Sequence, residues 1–178
     1  RGQAVDVGTG CGVLAFMLAK AGVDRVVATD SNPNAVESVK RELSRLDSPL
    51  PIVPVCADLL GEESEAVDLI VFNPPWVRGE ADDLLGQALV FQDGLFERFF
   101  DQAAERLAPE GRVVMVFSNV IRLMQPDVPH PIDAELEGSR FRLVQCLQRK
   151  VKPGRGPDGS KRRTREKVEV WELARADG

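Results

Sequence analysis

Asn73-Pro74-Pro75-Trp76 is the stretch of this 178-residue chain whose residue types could do chemistry. The Asn73 side-chain oxygen and the Pro74 carbonyl present two acceptors, which together can hold both hydrogens of a planar NH2 group. Such a nitrogen has a delocalised lone pair and is a poor nucleophile. Two fixed acceptors push electron density toward it and stabilise the positive charge that develops as an electrophile arrives. Pro74 and Pro75 fix the backbone carrying those acceptors, and Trp76 offers a flat face for a planar amide or base. The alternative is a Pro-Pro turn after a buried strand, with an incidental tryptophan.

The electrophile needs a cradle, and residues 4–15 have the pattern of one: a short apolar strand, the turn Gly8-Thr9-Gly10-Cys11-Gly12, then a helix. Glycines let a ligand lie against backbone, and the helix start points unpaired N–H groups at it. A dinucleotide fold prefers G-x-G-x-x-G, whereas this turn reads G-x-G-x-G with Asp6 ahead of it. An acid there repels a pyrophosphate but suits an ammonium group, as carried by the methionine end of S-adenosylmethionine. Asp30 lies 20 residues beyond Gly10 at the end of a second strand. It could hold two ribose hydroxyls or serve only as a helix cap. Asp58, after a third strand, could accept from the adenine amine or be an exposed turn acid, with Leu59 against the ring. Cofactor contacts are thus expected from Asp6, Gly8, Thr9, Gly10, Gly12, Asp30, Ser31, Asp58, Leu59 and Asn73. No metal ligands are expected.

Those residues require a frame. Leu14, Met17, Leu18 and Ala21 recur at helical spacing, with Gly22 as C-cap. Residues 25–29 and 52–56 read as strands, separated by a helix that Asn32-Pro33 starts and whose buried face is Val36, Val39, Leu43 and Leu46. Residues 67–72 form a near-continuous apolar run, as a central parallel strand should. A loop over the pocket with one helical turn is expected for 77–92. A helix with an aromatic face follows, through Leu95, Phe96, Phe99, Phe100, Ala103, Ala104 and Leu107. Pro109-Glu110-Gly111 should end it before a fifth strand at 112–117. A short helix at 133–136 precedes two strands, 141–151 and 167–173, which should close the sheet as an antiparallel hairpin. The expected fold is α/β, a doubly wound, mostly parallel seven-stranded sheet with a C-terminal antiparallel hairpin. The Gly turn, Asp30, Asp58 and Asn73 all fall at strand carboxyl ends, where such sheets bind ligands.

Composition bounds the reading. With 43% hydrophobic and 29% charged residues and a net charge of −5, the chain has a globular composition and is no uniformly basic nucleic-acid platform. No apolar run approaches the roughly 20 residues of a membrane span, so a cytoplasmic protein is expected. Cys11, Cys56 and Cys146 lack disulfide or zinc spacing. His130, the single histidine, sits in Pro129-His130-Pro131 and reads as a rigid turn. Basic residues crowd into 152–165, a loop that could track RNA phosphates or be a solvated hairpin tip.

With both motifs, the chain resembles class I S-adenosylmethionine-dependent methyltransferases, and within them the HemK-like group of protein-glutamine N5-methyltransferases carrying N-P-P-aromatic. The similarity includes Thr29-Asp30-Ser31-Asn32-Pro33 and Asp93-Gly94-Leu95-Phe96-Glu97-Arg98. Trp76 stands where that family typically has Tyr. The resemblance implies a Rossmann-like methyltransferase fold and S-adenosylmethionine as cofactor, with Asn73 to Trp76 as catalytic residues holding a glutamine amide of a release factor or ribosomal protein. The same tetrapeptide class serves adenine N6-methyltransferases of RNA or DNA, and a non-catalytic cofactor-binding partner subunit is a third expectation. Residues 1–178 are expected to form a single methyltransferase domain lacking an N-terminal segment.

Overall fold

The computed structural model describes residues 2–62, 65–80, 90–151 and 165–177. Its strands are β1 (Gln3–Val7), β2 (Arg25–Asp30), β3 (Ile52–Cys56), β4 (Val67–Phe72), β5 (Val77–Arg78), β6 (Val90–Phe91), β7 (Leu107–Ser118), β8 (Phe141–Lys150) and β9 (Lys167–Arg175). Seven of them form one sheet in the order β3-β2-β1-β4-β7-β9-β8. β1 to β4 and β7 run parallel, while β9 is antiparallel to β7 and β8. This is the doubly wound sheet with a terminal hairpin that the strand and helix periods predict.

The helices are α1 (Val13–Lys20), α2 (Pro33–Leu43), α3 (Leu95–Arg106), α4 (Val120–Met124) and α5 (Pro131–Glu137). The core on one face of the sheet is aromatic: Phe72 and Phe99 rings lie 4.6 Å apart, and Phe100 meets Phe141 at 5.6 Å. The predicted stripe of α3 supplies Phe96, Phe99, Phe100 and Ala103 to it.

Local details depart from the sequence reading. α1 buries Ala15 and Ala19, while Met17, expected inside, is 61% exposed. The two alanines join a cluster with Val26, Ala28, Val39 and Ile52, against which Phe16 and Leu18 also pack. Leu46, also expected inside, falls beyond the end of α2 and is exposed. Pro109-Glu110-Gly111 does not separate helix from strand. It lies inside β7, in an irregularity where β4 skips from Leu107 to Arg112. Gly111 makes that bulge possible, since a Cβ there would stand 2.7 Å from Leu107. The segment expected as a loop carries β5 and β6, paired in parallel; the helical turn predicted within it and the basic stretch 152–164 lie outside the described residues. No described helix is long and apolar enough to cross a membrane.

Candidate active site

The registers place the predicted residues on one rim. Val7 of β1 pairs with both Thr29 of β2 and Phe72 of β4, so Gly8, Asp30 and Asn73 each follow the same rung of the sheet.

The glycine turn is stapled to its neighbours. Thr9 donates its N–H to the Thr29 carbonyl at 2.8 Å, and Gly10 donates to Asp30 Oδ2 at 2.9 Å. Gly12 has φ of 84°, which disfavours a side chain, and a Cβ there would crowd Val39 and Phe16 at 3.0 Å. Beneath the turn lies Asp6, 1% exposed. One of its oxygens accepts from the Thr9 hydroxyl at 2.6 Å and from the Ala15 N–H at 2.9 Å, tying the strand to the start of α1. Burial raises the Asp6 pKa to about 6, with those two bonds opposing the rise and nearby Asp30 adding to it.

Asp30 carries the turn on one oxygen and accepts from Asn32 N–H at 2.9 Å on the other; Asn32 in turn caps α2. A carboxylate has about four acceptor sites, so both oxygens keep a lone pair for a hydroxyl donor. Asp58 is ion-paired with Arg98 of α3. Leu59 is held at a φ of 50°, its carbonyl accepting from the Thr29 hydroxyl at 2.6 Å.

A cavity of about 290 Å³ opens among these groups. Of the predicted residues Gly8, Asp30, Ser31, Asp58, Leu59 and Pro75 line it. Asp6, Thr9, Gly10, Gly12, Asn73, Pro74 and Trp76 do not line it. Sequence reasoning gave no role to Arg98, Phe91 or Asp93, which do line it. The available signal was the Asp93-Gly94-Leu95-Phe96-Glu97-Arg98 string, whose reach back to the first half of the rim depends on how α3 packs.

The donor set fits S-adenosylmethionine: a side-chain-free wall at Gly8, a carboxylate with spare acceptor capacity at Asp30, and an acid beside apolar Leu59. At the far side of the cavity β4 ends at Phe72, Asn73 is exposed, and Pro74 is buried. Trp76 is half-buried against the core, and its indole N–H donates to the Val116 carbonyl of β7 at 3.2 Å. The tryptophan thus anchors the corner to the next strand, leaving its unburied part as the available plane. His130, read as part of a rigid turn, stands at the start of α5. It is buried, edge-on to Phe117 at 4.9 Å, with Nε2 3.7 Å from Glu169 and neither nitrogen hydrogen-bonded. Burial, with Arg122 adding to it, lowers its pKa to about 4. Among the described residues no group of three or more His, Cys, Asp or Glu could hold a metal ion.

Comparison with known proteins agrees with this fold. A family model described as the methyltransferase small domain matches residues 1–128. The ribosomal protein L11 methyltransferase of Heliobacterium modesticaldum is 35% identical over 127 residues, 70% of this chain and 33% of that protein. The putative protein N5-glutamine methyltransferase of Methanocaldococcus jannaschii is 28% identical, over 65% of this chain and 61% of its own. The tRNA1(Val) (adenine(37)-N6)-methyltransferase of Porphyromonas gingivalis is 30% identical, over 63% and 48%. The crystal structure of a ribosomal protein L11 methylase from Lactobacillus delbrueckii subsp. bulgaricus shares the fold, with a TM-score of 0.64 over 98% of this chain and 70% of that one at 20% identity. The chain therefore spans about a third to three-fifths of the length of these curated relatives.

Proposed function

The chain belongs to the methyltransferase small domain family, and on that premise we propose that it transfers methyl from S-adenosylmethionine to a planar NH2 nitrogen, the side-chain amide of a glutamine in a release factor or ribosomal protein. The observation that carries the reading is the sheet register, which sets Asn73 level with Gly8 and Asp30 across adjacent strands. When bound, S-adenosylmethionine supplies a methyl group on a sulfonium, an electrophile that needs no metal. Gly8 passes backbone along it, Asp30 accepts from its ribose hydroxyls, and Asp58 accepts from its adenine amine. Asn73 Oδ1 and the Pro74 carbonyl hold the two amide hydrogens of the acceptor. They orient the nitrogen and stabilise the charge that develops on it. The proton released afterwards leaves along those acceptors or to water.

The protein-glutamine relative supports this acceptor, and the tRNA relative supports a second reading, adenine N6, in which a base replaces the amide at the same corner. Incubation with radiolabelled cofactor, tRNA and a release factor containing Gly-Gly-Gln should label the protein, and Asn73→Ala should cut the labelling by about a hundredfold or more. Label that resists protease and yields to nuclease selects adenine instead. Cofactor uptake with no turnover on either acceptor would leave only a binding subunit.

A further inference from the structure

A second cavity, about 550 Å³, adjoins the first, and the two share Phe91, Gln92 and Asp93 as a common wall. That wall is fixed. Gln125 brackets Arg78 with bonds to its N–H and its carbonyl at 3.0 and 2.8 Å, and Gly79 donates to Phe91 at 3.0 Å. The rings of Phe96 and Phe100 and two prolines that flank His130 give this cavity an apolar lining. Its charges are mostly settled internally. Asp93 pairs with Arg78 at 2.5 Å, and Glu135 takes Arg140 at 2.8 and 2.5 Å. Glu97, in the first turn of α3, lines the same cavity and makes no hydrogen bond or ion pair with any described residue.

An aromatic and proline-lined recess whose rim carries an exposed carboxylate, Glu97, that pairs with no described residue is complementary to a long cationic side chain. Such a chain lays its methylenes on rings while its head meets the acid. Because the recess shares a wall with the cofactor cavity, a side chain seated in it lies within a few residues' reach of a nitrogen presented to the cofactor. We infer that this second cavity receives an arginine or lysine close in sequence to the acceptor glutamine, with Glu97 as its counter-charge; this rests on the glutamine reading above. It makes Glu97 a specificity residue for the acceptor. The cofactor cavity does not include it.

The test is a set of glutamine peptides differing only in whether one residue, one to three positions either side of the glutamine, is Arg, Ala or Glu. At one of those positions Arg should raise kcat/KM about two- to fivefold over Ala, mainly through KM, as an exposed ion pair aided by methylene contact with the rings does. Glu97→Gln should bring that ratio close to one, and Glu97→Lys should favour the Glu peptide. Calorimetric cofactor binding by both variants checks that they are folded. Peptides methylated with no Arg preference, or with one that both variants retain, overturn the inference. No peptide methylated by wild-type protein that binds cofactor overturns the glutamine reading, and this inference with it.

Discussion

The two halves of the rim are built differently. On the cofactor half, formed by β1, β2 and β3, carboxylates accept from backbone N–H groups of the glycine turn and the helix start within 20 residues, as Asp6 does from Ala15 and Asp30 from Gly10, Asp58 alone reaching farther, to Arg98. On the acceptor half, formed by β4, β7 and the segment that carries α4 and α5, the contacts join distant residues: Trp76 to Val116, Arg78 to Gln125, His130 beside Glu169. A ligand that never changes can be held by backbone in a local motif. An acceptor that differs among relatives calls for side chains from several elements, each free to vary.

The contrast is sharpest if the halves fail in different ways. Asn73→Ala should lower methyl transfer by about a hundred- to a thousandfold, the usual cost of one donor or acceptor that acts in the transition state, with a far smaller change in cofactor affinity. Single-turnover labelling beside calorimetry separates the two. Asp6→Ala should act on the fold instead. It leaves the buried Thr9 hydroxyl and Ala15 N–H without their acceptor, at a cost of about 2 to 4 kcal/mol in urea unfolding.

The halves also oppose one another in pH. Asp6 has its folded pKa raised to about 6, so its contribution is fully present below its unfolded value and is lost as pH rises through 6. His130 has its folded pKa lowered to about 4. Its contribution is present above its unfolded value, near 6.5, and is lost as pH falls through 4. Between pH 4 and 6 the two slopes have opposite sign. Relative to wild type, Asp6→Asn should therefore lose stability toward acid and His130→Phe should gain it, each by up to about 1.4 kcal/mol per pH unit. Chemical denaturation at pH 4.5 and 6.5 would show it, and parallel curves would refute the assignment.

The smallest effect should come from Arg98→Ala. Its pair with Asp58 is more than half exposed on both sides, so cofactor affinity should weaken by about two- to fivefold. A loss of a hundredfold would mean that Arg98 touches the ligand directly, and the halves would then be less separate than drawn here.

Legibility followed the same division. The turn, Asp30 and the strand ends could be read directly, because period, glycine spacing and capping are local properties of the chain. The buried face of α1 could not, since Met17 and Ala15 fit helical spacing equally well and only packing against Val26, Ala28, Val39 and Ile52 favours the alanines. The bulge of β7 was hidden because Pro109 and Gly111 signal a helix end and a strand irregularity alike. Arg98 carried no legible role, because its partner Asp58 lies 40 residues away across the fold.

By itself the sequence determined the fold class, the strands of the main sheet along the chain and the strand ends that carry the candidate site residues, since patterns with a period of two or 3.6 residues depend on neighbours a few positions away. Only the tertiary structure decided that Asp6 lies beneath the turn, that the indole of Trp76 is tied to β7, that His130 is buried without a hydrogen bond and that a second cavity stands beside the first. Those outcomes depend on which distant side chains compete for the same space, and no local pattern in a chain encodes that.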